Sequence, residues 1–514
     1  MLPVLERSQS NDQPRAQAAL AFALASAFAL ALASGLPGLA DTDPYSHLEY
    51  TRLLWASGLK LRGHPFLPFT ILGDSGVDLW LGFHWLLLPF APLGVLWGAR
   101  VAGACIAGTV AASIAWTLGR LGLRRSWAFG VAPLFLAVNF AFRGHVARPA
   151  HLTTPILLLQ LFCGAGEFAP GLAAAGAFAH GLLHLSSPLS PLFALLGWGG
   201  ARLAGRPGSP RAVLWAVGGV GLSLVLRPDR ALYTVFAALT NLYALGFIGP
   251  GRLPFTGVEL FPLSLSGFAW DTSLGFALVA LAFFLGRSRA RSGSRAAQIA
   301  ALLAVAVCTA LTARGGRFLD YLVPLQAVLA GLLWPRELST KLRRALPAVL
   351  CACAIGLGGL RLEELWSKAG ALADPPATLA RIAEQVRSRV PPGAMIFTDS
   401  PFTTEVLWSS LPEYRFIVAY DPALLYLASP ERYWRWYHAV AQGANCGALH
   451  CANPDVGPGA AARALRSFDA SWAITSEPRG GVGLQETLGS APDRFELIDF
   501  VPGADNGLYL WRLK

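Results

Sequence analysis

The sequence predicts an α-helical polytopic membrane protein that ends in a soluble α/β domain, and three observations predict it. Of its 514 residues, 54% are hydrophobic and only 14% are charged, and the mean hydropathy of +0.48 is too apolar for an ordinary soluble chain. Uncharged runs long enough to cross a bilayer recur before residue 362, and a helix satisfies its own backbone there. Beyond residue 362 charge returns, and short apolar runs alternate with helical stretches. A net charge of +11 suits nucleic acid in a soluble protein. Here it fits the basic bias of cytoplasmic loops, and nucleic acid is not an expected partner.

About eleven spans are expected, at 18–39, 95–118, 127–142, 154–169, 170–187, 189–201, 212–226, 270–286, 296–313, 318–335 and 345–361. With the N-terminus (Arg7, Arg15) in the cytoplasm, the clusters Arg120/Arg124/Arg125, Arg202/Arg206/Arg211, Arg287/Arg289/Arg291/Arg295 and Arg336/Lys341/Arg343/Arg344 all fall on that side. Two further stretches, 79–94 and 231–249, compete as spans, so that up to thirteen are possible. Pro89 and Pro92 break the first, and Trp80 and Trp85 suit headgroup level. Both are read as interfacial helices of long outer loops, at 40–94 and 227–269. The first span is read as a retained anchor, although "SGLPGLA" before Asp41 also has the small residues of a signal-peptide cleavage site.

The division is therefore a transmembrane domain over 1–361 and an extracytoplasmic α/β domain over 362–514, in a multi-pass protein of the plasma (inner) membrane. Strands are expected at "AMIFT", "RFIVAY", "SWAIT", "FELIDFV" and "GLYLWRL", and a helix at "SPERYWRWYHAVAQ". Cys446 and Cys451, in "NCGALHC", lie in this outer domain, where an oxidising compartment favours a disulfide over a metal site with His450. No P-loop, nucleotide-binding glycine fingerprint or repeat occurs.

The first charges after Arg15 are Asp41 and Asp43, in "ADTDPYSHLEYTRLLWASG". Asp43-Pro44 reads as a helix start, with Asp43 at the N-cap and Tyr45, Leu48, Trp55 and Leu59 on one face. That leaves Asp41 unexplained. Two carboxylates so spaced at a membrane surface can converge on Mg²⁺ or Mn²⁺, hard ions that take oxygen ligands and neutralise a phosphate.

"DTDPYSHLEYTRLLWASG" resembles the first outer-loop motif of the GT-C glycosyltransferases, and the "DPWYHLR" type of stretch in oligosaccharyltransferase catalytic subunits in particular. The order of parts is similar over nearly the whole chain. A span and a long acidic outer loop come first, then the basic loop "GRLGLRRS", a short outer loop "RGHVARPAHLTTP", a second long outer loop with "TGVE", then "ARGGRFLDYLVPL" and an outer α/β domain. The resemblance implies a GT-C-like fold and an inverting transfer of sugar from a polyprenyl-phosphate or polyprenyl-diphosphate donor to a glycan, lipid or protein acceptor. It implies catalytic and metal-binding roles for Asp43 and Asp41, and an acidic role for Glu259 of "TGVE". Arg317 is then the arginine facing the lipid phosphate, with Arg148 as a second; a guanidinium suits phosphate through its planar, permanent charge.

Two departures matter. The short outer loop lacks the family's second acidic pair, so either His151 or another group completes the metal site, with His145 and His184 near it, or the metal is absent. The tryptophan pair of the family's sequon-recognition motif is missing from "FTDSPFTTEVLW", where only Asp399 holds a matching place, and sequon-directed protein glycosylation is not expected. A transporter of lipid-linked saccharides is disfavoured, since the spans lack interior acids. A non-catalytic GT-C scaffold that binds glycan or partner stays open.

Overall fold

The computed structural model describes residues 2–73, 77–232, 234–235, 253–254, 262–287, 294–335, 362–367, 376–452, 455–476, 483–502 and 507–514, with residues 2–12 and 376 as backbone alone. Helices occupy ten of the eleven expected spans; the eleventh, 345–361, lies outside the described residues, as do Glu259 and most of 231–249. The helices are α1 (Leu2–Ser34), α2 (Asp43–Ala56), α3 (Leu81–Leu87), α4 (Gly94–Arg120), α5 (Ser126–Val131), α6 (Pro133–Leu136), α7 (Val138–Gly144) and α8 (Pro149–Gly164). They continue with α9 (Gly171–Leu183), α10 (Leu189–Leu203), α11 (Pro210–Leu226), α12 (Leu265–Gly286), α13 (Arg295–Thr312) and α14 (Leu319–Leu333). Five helical runs among the described residues are long and apolar enough to cross a membrane alone. α9 and α11 are apolar but shorter.

Small residues let the helices approach closely, the usual basis of association where lipid competes with every apolar side chain. Ala21, Ala25 and Ala29 of α1 are fully buried. Across the contact, Ser26 Oγ donates to Ala104 O of α4 at 3.0 Å, and a Cβ on Gly108 would come 2.2 Å from that same Oγ.

The span expected at 127–142 is not one helix. It breaks into α5, α6 and α7, with Pro133 at the first joint and Ala137 extended at the second (φ −144°, ψ 128°). A broken helix inside a membrane protein must find partners for its freed backbone groups. Asp271 of α12 supplies one: its Oδ1 accepts from Asn139 N at 3.1 Å, and its Oδ2 accepts from the Asn139 amide.

The stretch 79–94 bears out the reading from its prolines. α3 passes into a 3-10 turn, Leu88–Leu93, and the chain redirects at Gly94, whose φ of +75° is the left-handed region that glycine enters without strain. Beyond the last span, five strands form one sheet: β1 (Met395–Thr398), β2 (Arg415–Phe416), β5 (Ala470–Ser476), β6 (Phe495–Val501) and β7 (Leu508–Leu513). Their order is β2-β1-β5-β7-β6, with β1 parallel to β2 and β5, and β7 antiparallel to both its neighbours. Every expected strand is present, though "RFIVAY" is a strand only at Arg415–Phe416. β3 (Ala444–Asn445) and β4 (Asp455–Val456) pair apart from the sheet. The helix Pro430–Gln442 starts where its sequence suggested, Ser429 Oγ accepting from Arg432 N. Cys446 and Cys451 are joined, with Cα atoms 6.4 Å apart.

The loop 40–94 and the α/β domain share one apolar core. Tyr50, Leu54, Phe66, Leu67 and Leu72 of the loop pack with Ile396, Trp408, Tyr414 and Phe416 of the domain, and Phe66 stacks on Trp408 with ring centroids 3.6 Å apart. Leu253, from the second long loop, is buried among Met395, Phe397 and Trp436. The first long loop, and the described residues 253–254 of the second, thus pack against the domain.

Candidate functional site

α2 does not start as expected. Thr42 is its N-cap residue and Asp43 its first helical residue, while Asp41 Oδ1 accepts from Asp43 N at 3.4 Å. The acid that meets the first backbone N–H of α2 is therefore Asp41, and the Asp43 side chain is turned to Arg148. A carboxylate in the first turn also gains from the helix dipole. Tyr45 and Leu48 are buried, whereas Trp55 and Leu59 are exposed.

Arg148 holds both acids. Its Nη2 donates to Asp41 Oδ1 at 2.8 Å, its Nε pairs with Asp41 Oδ2, and Nη2 also reaches Asp43 Oδ2 at 3.2 Å. The short loop that lacks acids thus answers the first loop with a cation. Asp41 and Arg148 are nearly closed off, at 9% and 11% side-chain exposure, but Asp43 keeps 28%. One guanidinium thus stands against two carboxylates, the more open of them Asp43.

A third acid comes from the α/β domain. Glu405, on the helix Pro401–Ser410, is fully buried beside the Thr42 hydroxyl, with neither carboxylate oxygen hydrogen-bonded. Burial first, and repulsion by Asp43 and Asp41 next, hold its carboxyl well above the usual carboxylate range; Thr42 and Arg148 oppose this. No pattern in "SPFTTEVLW" marks it, except that a lone acid sits among residues that are otherwise apolar or small.

Five residues before Arg148, Arg143 forms a second cluster. Its Nε and Nη2 donate to Asp320 Oδ1 and Oδ2 at 2.9 Å each, a fork-on-fork pair in which Asp320 is 1% exposed. His151 faces this pair, its Nε2 3.9 Å from Asp320 Oδ1. Arg317 precedes α14 in a single 3-10 turn, Gly316–Phe318. Its charge and those of Arg230 and Arg143 bear on the buried His184, whose Nδ1 bonds Ser186 Oγ at 2.7 Å. His184 and Arg148 both bear on His47 of α2.

The expected Mg²⁺ or Mn²⁺ set of Asp41, Asp43 and His151 does not converge. Among the described residues, the only group of three or more metal-type side chains with ligand atoms within 4.8 Å of one another is His438, Cys446 and Cys451, and its cysteines are tied in the disulfide. His151 enters α8 facing Asp320, and Arg148 already stands against both acids. His145 does not join it either; its Nδ1 donates to Ala141 O at 3.2 Å. These residues do not fit a resident divalent cation.

A histidine relay that the sequence analysis missed lies one turn along α2. Asp78 Oδ2 is 2.7 Å from His84 Nδ1, and His84 Nε2 is 2.9 Å from His47 Nδ1. Asp399, by contrast, is structural. It sits after β1 and is almost wholly buried, its Oδ2 accepting from Ser476 N at 2.7 Å and Ser476 Oγ at 3.1 Å. Burial pushes its carboxyl up to about 6.

No protein-family model matches the sequence, and no curated protein is similar to it. Solved structures are similar in fold. The oligosaccharyltransferase AglB from Archaeoglobus fulgidus, in complex with an inhibitory peptide and a dolichol-phosphate, superposes with TM-score 0.59 at 9% identity, over 88% of this chain and 69% of that one. ArnT from Cupriavidus metallidurans, bound to undecaprenyl phosphate, gives 0.55 at 14% identity, over 95% and 97%. The mycobacterial arabinofuranosyltransferase AftD gives 0.50 at 18% identity, over 96% of this chain and 41% of that one. The fold is thus like that of these solved structures: apolar helices long enough to cross a membrane, with an α/β domain packed against one end of them.

Proposed function

We propose that this protein is a membrane glycosyltransferase that moves a sugar from a polyprenyl-phosphate or polyprenyl-diphosphate carrier to an acceptor hydroxyl on the domain side, by inversion. The observation that carries this reading is the Arg148–Asp41–Asp43 cluster, in which Asp43 stays partly open. Asp43 orients and polarises the acceptor, and Arg317 opposes the charge that develops on the departing lipid phosphate. The apolar bundle holds the lipid tail. The AglB and ArnT structures contain dolichol-phosphate and undecaprenyl phosphate respectively, which supports a lipid-phosphate carrier here.

Arg148 takes the place that the resemblance gave to a metal, and its expected phosphate role is secondary to holding the acids. The reaction is therefore proposed to run without a resident divalent ion. Purified protein would be incubated with undecaprenyl-phosphate bearing a radiolabelled pentose, or undecaprenyl-diphosphate bearing a radiolabelled N-acetylhexosamine, and a membrane extract as acceptor. Transfer is expected to persist in EDTA and to fall at least about 100-fold in Asp43→Ala. Undiminished transfer by Asp43→Ala would sink the assignment; loss in EDTA, restored by Mg²⁺ or Mn²⁺, would return the metal. A lack of transfer from either donor would favour the non-catalytic scaffold.

A further inference from the structure

Resting on the transfer reading above, we propose that His47 is the base that receives the acceptor hydroxyl's proton, held for that task by His84 and Asp78. The argument starts from the order of the hydrogen bonds. An ionised Asp78 accepts only, so His84 Nδ1 must carry the proton between them. In the proposed relay the lone pair lies at His84 Nε2 and accepts, over the 2.9 Å contact, from His47 Nδ1. His47 is thereby fixed in the tautomer whose Nε2 bears a lone pair, and that Nε2 has no hydrogen bond among the described residues. The ring is clamped edge-on by Trp80 and Phe83, with centroids 5.2 and 5.1 Å away, so its aim does not wander.

Position joins this base to the acids. Asp43 and His47 are four residues apart on α2, hence neighbours on one helix face. Arg148, which holds Asp41 and Asp43, also acts on His47. The groups facing His47 are His84 and His64 from its own loop, Arg148 and His184 from the helical domain, and Tyr420 from the α/β domain, its ring centroid 5.5 Å away. Burial above all, with the Arg148 guanidinium adding to it, holds His47 well below the usual imidazole range, while against burial the hydrogen bond with His84 holds Asp78 below its ordinary value. A neutral imidazole backed by an aspartate through a second imidazole accepts a proton and spreads the resulting charge.

In the transfer step the acceptor O–H bond breaks and its proton goes to His47 Nε2. The freed oxygen pair forms the bond to the anomeric carbon. The bond from that carbon to the carrier's phosphate oxygen breaks, and its electron pair leaves on the phosphate. No co-reactant is needed. His47 is the catalytic residue, while His84 and Asp78 are positioning residues.

The test uses the full-length protein and the two labelled donors named above. His47→Asn is expected to lower kcat by about 100-fold or more with KM little changed, the size of a lost general base. Asp78→Asn, which preserves shape but no longer enforces the tautomer, is expected to lower kcat by about 10-fold or more and to move the acidic limb of the pH–rate profile. ¹⁵N-histidine NMR reads the relay without any turnover: His47 Nδ1 is expected to be protonated and Nε2 bare in the parent, and that preference is expected to be lost in Asp78→Asn. If the parent transfers sugar while folded His47→Asn and Asp78→Asn keep its kcat and pH profile, the inference is overturned with the transfer reading intact. An unchanged His47 tautomer in Asp78→Asn overturns the relay. A parent that transfers nothing overturns the transfer reading and the base role together.

Discussion

Arg143 and Arg148 stand five residues apart and both meet aspartates, yet they do different work. Arg143 serves one carboxylate, bidentately and out of water. Arg148 is divided over two, one of them partly exposed. A closed one-to-one pair has no capacity left for a ligand and locks α7 to α14. An arginine shared between two carboxylates, one of them 28% exposed, holds a cluster that still meets solvent. Asp399 and Glu405 extend the series to buried acids with no arginine as direct partner, whose protons are accordingly held more tightly.

The largest effect should come from breaking the closed pair. Arg143→Ala leaves Asp320 charged, buried and unpaired, a cost of about 3–5 kcal/mol. Little folded protein is expected on extraction, and Arg143→Ala with Asp320→Ala should recover much of it. Next, Arg148→Ala should retain the fold, by thermal midpoint in detergent, while transfer falls about 100-fold, roughly 2.7 kcal/mol. Equal unfolding in the two arginine variants would erase the distinction between lock and site.

Asp399→Asn tests the acid without an arginine. Its carboxyl is raised to about 6, above the value it has in an unfolded chain. The folded state therefore holds the proton more tightly, and stability from this group is full below about pH 4 and lost as pH rises through about 6. The variant should be more stable at pH 7 by about 2 kcal/mol, under the roughly 3 kcal/mol of the full shift because an amide accepts more weakly from Ser476. It should also lack the parent's loss of stability between about pH 4 and 6. A parent thermal midpoint that is flat over that window would count against this account of Asp399. The smallest effect is expected from Cys446→Ser with Cys451→Ser, which opens a short loop worth at most about 2 kcal/mol. It should lower the thermal midpoint by a few degrees and leave transfer unchanged.

Much of the fold was legible because it follows from local rules. Apolar length marks a span, alternation with aromatic and β-branched residues marks strands such as "FELIDFV", and Pro89 and Pro92 mark a break. The fracture of 126–144 was not legible, because the group that satisfies its backbone, Asp271, lies more than a hundred residues on. Asp43 and Arg148 stood out as rare charges in apolar sequence. Glu405 and Asp78 did not, since an acid in a soluble stretch is ordinary until folding buries it.

By itself, then, the sequence determined that the chain carries many apolar membrane-spanning segments, that an α/β domain follows them, and that Asp41 and Asp43 stand just beyond the first of these segments. Hydrophobicity and charge act locally, and they need no partner to be read. Only the tertiary structure decided what those acids meet: Arg148 in place of a metal, Glu405 from the far domain, and a relay of two imidazoles and an aspartate one helical turn away. Hydrogen bonds and ion pairs depend on ångström-scale convergence of side chains distant along the chain, and that convergence exists only once the loops and the domain have closed into a single core.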